Sequence, residues 1–179
     1  MTNQGYITSD TISKNGTKHF FVSEGSKSIV KVISYDQVGI LNDKKVFNLG
    51  FGDYDIISGV LDDASTSDNG DVYKVFNTIL STIPKFFESF RKDIIMVEGS
   101  DSTTDFTENC ILTCRKKCLS ANQCKNQNRR INVYRNYVNK NFEDLKLTYT
   151  FYGGLKNEHT IEMYLPGKKY DSVFVIKNN

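Results

Sequence analysis

Apolar residues in the stretch DNGDVYKVFNTILSTIPKFFESF recur at three- and four-residue steps: Val72, Val75, Phe76, Ile79, Leu80, Ile83, Phe86, Phe87 and Phe90. That spacing stacks side chains on one face of a helix. It predicts a helix from Asn69 to Phe90 whose apolar face must be covered. Asp68 or Ser67 can cap its first free amides, and Asp71 lies against the positive end of its dipole. Pro84 removes one backbone hydrogen bond, but apolar positions continue beyond it, which predicts a bend and not a stop.

Around this helix the pattern is that of strands. HFFVSE from His19 and SIVKVISY from Ser28 alternate, with Ile29, Lys31, Ile33 and Tyr35 on one face and Val30 and Val32 on the other. Val46 to Phe51 continues with Phe47, Leu49 and Phe51 inward, and Asn42-Asp43 reads as the hairpin turn before it. FGDYDIISGVLDD, loosened by Gly50, Gly52 and Gly59, returns as a short strand. DIIMVE is continuously apolar, the mark of a strand covered on both faces, and ends at Gly99-Ser100. A second amphipathic helix is predicted from Arg129 to Asp144, with Ile131, Tyr134, Val138 and Phe142 on one stripe and Arg130, Arg135 and Lys140 pointing elsewhere. LKLTYTFYG, TIEMYLP and SVFVIKN close the chain as three strands. The fold class that follows is α+β: a mixed, largely antiparallel sheet with two main helices packed on it. Residues 1–18 are polar and read as a loose arm or a weak first strand.

Composition narrows this picture. A chain of 179 residues with 39% apolar content suits one core, so a single domain spanning 1–179 is expected. Its 23 basic and 21 acidic residues leave a net charge of +2, which imposes no global attraction for nucleic acid or anionic membrane. The longest apolar runs fall far short of the roughly 20 residues a bilayer requires, and the N-terminus lacks a secretory pattern. The expected location is the cytoplasm, where cysteines are normally thiols.

Several segments together carry a resemblance: NLGFGDYD, GVLDD, NGDVYKVFNTI, VEGS, RRINVYRNYVNKNFEDL and GKKYDSVFVIK, between about Phe20 and Lys177. Their order resembles a family of small, functionally uncharacterised bacterial proteins frequent in Bacteroidetes. Relative to that pattern, residues 101–128 read as an insertion, and it brings all four cysteines with it. At the level of fold, the order of elements is also similar to the acyl-coenzyme-A-dependent N-acetyltransferase core. That likeness implies a turn, here Asn69-Gly70, whose amides meet the cofactor pyrophosphate, and a later-helix tyrosine acting as acid. The carboxylates of Asp68 and Asp71 oppose such an anion.

The residues offer four constellations. Asp53, Asp55, Asp62 and Asp63, with Asp68 and Asp71 nearby, can bind a hard cation or form a solvated loop; Asp71 and Lys74 can pair one helical turn apart. Ser100, at a strand's carboxyl end, has the placement ligand sites favour. Cys110, Cys114, Cys118 and Cys124 form the candidate structural zinc set, against packed thiols or disulfides; on one helix the first and third would be about 12 Å apart, too far for one ion. Arg115, Lys116, Lys117, Lys125, Arg129, Arg130 and Arg135 with Tyr134 and Tyr137 can grip phosphates or form a solvated face. The reading that results is an accessory protein that binds a protein or nucleic-acid partner, with Asn69, Gly70, Lys74, Ser100, Arg129, Arg130, Tyr134 and Arg135 as its contacts. The alternative is an acyl-CoA-dependent transferase.

Overall fold

The computed structural model describes residues 4–62, 69–113, 120 and 124–178. The fold is α+β: among the described residues nine strands pair in a mixed, mostly antiparallel way, with three helices of seven residues or more. The chain divides into two compact units, Met1–Ile95 and Met96–Asn179, with the border inside one strand.

In the first unit, β1 (Ser9–Ser13), β2 (Gly16–Glu24), β3 (Ser28–Leu41) and β4 (Lys44–Tyr54) form an antiparallel meander, and β5 (Leu61–Asp62) pairs with the end of β4. Asn42 and Asp43 both have positive φ, 49° and 62°, as the two-residue hairpin turn matched to strand twist requires. The residues on either side, read on the sequence as a connection, are themselves paired strand, with one register shift between Gln37 and Gly39. The polar N-terminus is more ordered than its composition suggests. Ser9–Ser13 is a wholly exposed edge strand on β2, held by Asp10, which accepts from His19 Nδ1 and from Lys85 Nζ at 2.8 Å each.

Helix α1 (Val72–Ser89) follows and runs through Pro84. It starts three residues later than predicted because Asn69 and Asp71 are drawn into bonds with β2 and the turn after it. Ser67 and Asp68 lie outside the described residues. The buried face of α1 packs on the sheet through aromatics: Phe86 stacks on Tyr35 with centroids 4.7 Å apart and meets Phe47 edge-on at 5.1 Å. The Tyr35 hydroxyl reaches Thr82 Oγ1 at 2.8 Å, so the one polar group in this aromatic layer is satisfied.

Strand β6 (Ile94–Glu98) buries Ile94, Ile95 and Val97, as its unbroken apolar run requires. The second unit continues with a 3-10 turn at Ser100–Ser102, α2 (Thr104–Thr113), α3 (Arg129–Lys140), α4 (Phe142–Leu145), β7 (Tyr149–Leu155), β8 (Thr160–Met163) and β9 (Ser172–Lys177), with β7 antiparallel to both β8 and β9. The single helix predicted to Asp144 is broken at Asn141, whose side chain donates to the Tyr137 carbonyl at 2.8 Å. Ile131 and Val138 bury one face of α3, and Asn139 accepts from the Tyr164 hydroxyl at 2.8 Å. Opposite, Gly153 lies where the Tyr170 ring leaves no room for a Cβ.

Two measurements check this packing. Phe86→Ala should cost about 3–5 kcal/mol in urea unfolding, since it empties the centre of the aromatic layer. The second concerns Asp10: burial works to raise its carboxyl, but bonds from Lys85, Thr8 and His19 outweigh that and hold it at about 2 against an ordinary 3.8. A carboxyl depressed on folding contributes stability above its unfolded value and loses it as pH falls toward the folded one. Asp10→Asn should therefore flatten the loss of stability between pH 3.8 and about 2.

Candidate functional site

The densest polar constellation of the first unit gathers on the helix-covered face of the sheet. In register across three strands stand Phe21, Lys31 and Asp53, with Asp62 of β5 beside Asp53. Lys31 is only 3% exposed; its ammonium forms an ion pair with Asp53 and lies 5.4 Å from the centroid of the Phe51 ring. A buried ammonium is costly without a carboxylate partner, so the alternation that places Lys31 inward dictates an acid at Asp53.

Asp71, at the start of α1, is the second acid. It accepts from Ser23 Oγ and from the Tyr6 hydroxyl, each at 2.7 Å. Burial works to raise its carboxyl, but these bonds and the nearby Lys31 charge hold it below the usual carboxylate range. The Tyr6 phenol is pushed up by burial and by its bond to Asp71. Tyr6 is held through ring and hydroxyl alike: its ring stacks on Phe21 at 5.4 Å, Lys74 Nζ lies 3.8 Å from the ring centroid, and the Glu24 amide donates to its oxygen at 3.0 Å.

Asn69 is 5% exposed and completes the cluster as a clamp. Its Oδ1 accepts from the Lys27 amide at 2.9 Å and from Ser26 Oγ at 3.1 Å; its Nδ2 donates to Ser23 Oγ at 2.8 Å and to the Lys27 carbonyl at 2.9 Å. All four of its hydrogen-bonding positions are thereby used. Gly25 beside it has no room for a Cβ, which would collide with the Asn69 carbonyl. Gly70 adopts φ +81°, the left-handed turn that favours glycine.

A different feature projects from the end of β4. Asp55 Oδ1 accepts from the amides of Ile57 at 2.8 Å and Ser58 at 3.1 Å, and Gly59, at φ +70°, donates to the Asp55 carbonyl at 2.8 Å. Those amide bonds hold the Asp55 carboxyl below its ordinary range. The turn presents Ile56, Ile57 and Val60 to solvent, Ile57 with 99% of its surface open. Exposed Asp55 and Asp62 flank this apolar tip.

The predicted contacts of the second unit fall differently. Ser100 and Arg130 are brought together, the guanidinium donating to Ser100 Oγ at 2.6 Å. Asp101 accepts from the Arg130 amide at 2.9 Å, so it holds the first turn of α3. Arg135 donates to the Tyr170 carbonyl at 2.6 Å, which ties α3 to the segment leading into β9, and also bonds Asn132 of its own helix. The arginines expected to meet a partner are thus engaged within their own unit; Arg129 is the exposed one, 3.5 Å from Asn126. Burial pushes the Tyr134 phenol up to about 12, against the opposing pull of Arg130. Cys110 accepts from Asn126 Nδ2 at 3.3 Å and Cys124 is buried. Cys114 and Cys118 of the candidate zinc set lie outside the described residues, as do Asp63, Asp68, Arg115, Lys116 and Lys117. Among the described residues no three potential ligands are grouped to hold a metal ion.

Sequence reasoning missed Tyr6 and Ser23 altogether, and placed Lys31 in a strand without seeing its chemistry. A lysine at an inward position of an otherwise apolar strand was the available signal.

The class defined by these features is a small α+β protein with a buried lysine-carboxylate cluster at the start of its main helix. The chain belongs to a family of unknown function, DUF6934, whose model matches residues 3–106. No curated protein matches the chain, and no solved structure does. The matched span takes in every residue of the Tyr6 cluster and stops before α3, so the arginine-bearing helix and the closing strand lie outside it.

The ion pair is open to test by unfolding. Asp53→Ala removes the direct carboxylate partner of the Lys31 ammonium and should cost about 3 kcal/mol, whereas the apolar replacement of both, Lys31→Met with Asp53→Leu, should recover most of that loss.

Proposed function

We propose that the protein is a cytoplasmic accessory factor that acts by binding another protein, with the rigid tip at residues 55–60 as its contact. The observation that carries this reading is the combination at that tip of exposed branched aliphatics and a backbone already fixed by the Asp55 carboxylate. Apolar side chains held out to water gain about 1.5–3 kcal/mol each when covered. A turn ordered in advance does not lose that gain to ordering on association. The carboxylates beside the tip favour a partner whose apolar cleft is rimmed by lysine or arginine, and they disfavour an anionic membrane surface. Among the described residues no helix is long and apolar enough to cross a membrane. Nucleic acid is the weaker partner, since Arg130 and Arg135 already hold groups of their own unit.

A photo-crosslinking residue at position 57 should yield one dominant protein adduct in cells. The adduct protein, purified, should bind the wild-type chain with an affinity that falls as salt rises. Ile56→Ser with Ile57→Ser should weaken it about a hundredfold. Adducts identical to those from a control site at exposed Lys140, or affinity unchanged in the double variant, would overturn the proposal.

A further inference from the structure

The contacts around Tyr6 form a complete recognition site, and the group that fills it arrives on an arm. We propose that this is a slot for a glycine-tyrosine segment, filled here by the chain's own Gly5-Tyr6 and able to take the same pair from another polypeptide. Each part of the segment has a reader. A Cβ at Gly5 would lie 2.8 Å from the Thr78 backbone nitrogen, so a side chain is refused there. The Tyr6 amide donates to Thr78 Oγ1 at 2.8 Å, which fixes the backbone on α1. The ring stacks on Phe21 and carries the Lys74 ammonium 3.8 Å from its centroid. The hydroxyl donates to Asp71 and accepts from the Glu24 amide, a pairing that phenylalanine lacks.

Two observations separate this from ordinary core packing. The walls are tied to one another without the arm: Asn69 Nδ2 donates to Ser23 Oγ, and Ser23 Oγ donates to Asp71. Removal of Tyr6 therefore leaves Asp71 oriented and the cavity shaped. The pair is flanked by exposed Gln4 and Ile7, and the next anchors are Thr8, which accepts from Lys85 Nζ at 2.8 Å, and β1, so residues 4–7 are held by Gly5 and Tyr6. A tethered occupant competes at an effective concentration in the millimolar range, so the resident arm suppresses binding in trans until it is displaced.

The probe is a synthetic peptide of residues 1–9, titrated by calorimetry against the full chain. The Tyr6→Ala chain should bind it saturably, and the wild-type chain at least tenfold more weakly. Peptides with tyrosine replaced by phenylalanine, or glycine by alanine, should each bind the Tyr6→Ala chain about tenfold more weakly than the parent. Adding Lys74→Ala, an exposed change, should weaken the parent peptide severalfold. If Tyr6→Ala does not fold, Tyr6→Phe carries the test, because the parent peptide should displace its arm and the phenylalanine peptide should not. Absence of saturable binding at millimolar peptide, equal binding of the three peptides, or equal binding by wild type and Tyr6→Ala would each overturn the proposal.

Discussion

A lysine ammonium on the covered face of a sheet is the constraint around which the first unit is arranged. Desolvating such a charge costs several kcal/mol unless carboxylates meet it with good geometry, and Lys31 sits near the start of the longest strand with almost no surface open. Asp53 meets it directly from the neighbouring strand, and the Lys31 charge helps hold the Asp71 carboxyl below its usual range at the start of α1. The end of β4 and the entry to α1 are separated by more than ten residues of sequence, yet both converge on one cation. The two aspartates close the Phe51-Gly52-Asp53 and Asn69-Gly70-Asp71 triplets, so both motifs serve the same charge.

The two ends of α1 are held by different physics. Its C-terminal half is buried by Phe86 and Phe87 against Tyr35 and Phe47, contacts that are apolar and insensitive to salt. Its first turn exposes Val72, Tyr73 and Lys74, and is anchored by Asn69 bonded to the β2–β3 turn, by Asp71, which accepts from Ser23 of β2, and by the docked tyrosine. Local opening concentrates where apolar contacts are few. Opening of the first turn therefore leaves the aromatic contacts of the C-terminal half in place.

Much of this architecture was legible in the sequence. The three-four spacing from Val72 to Phe90, the alternation of Phe47, Leu49 and Phe51, and the unbroken run of β6 each follow from burial, which is what periodicity records. What was not legible lacked a burial signature. Ser9–Ser13 is an edge strand exposed on both faces, so no alternation marks it. Asn69 reads as a turn residue because asparagine favours turns; that all four of its polar positions would be spent as a clamp depends on residues more than forty positions away. Arg130 and Arg135 look like a docking face because they lie off the apolar stripe. Off-stripe positions at a helix flank can still reach neighbouring backbone, as Arg135 does at Tyr170. Tyr6 carried no local signal, since its partners come from β2 and α1.

The exposed tip follows directly on the strand end that carries the buried ion pair. Asp53 must face inward to reach Lys31, and strand alternation then turns Tyr54 to the other face, where its ring meets Phe20 with centroids 5.0 Å apart. With both residues committed, β4 leaves the sheet at Asp55, whose carboxylate is exposed and available to bind the amides of its own turn. The direction in which Ile56 and Ile57 point is therefore set by a rigid strand end and by a self-capped turn, the arrangement in which loops carry function best because the scaffold beneath them does not move. Moving the lysine by one position along β3 would turn its ammonium to the opposite face and remove the demand for a carboxylate at Asp53.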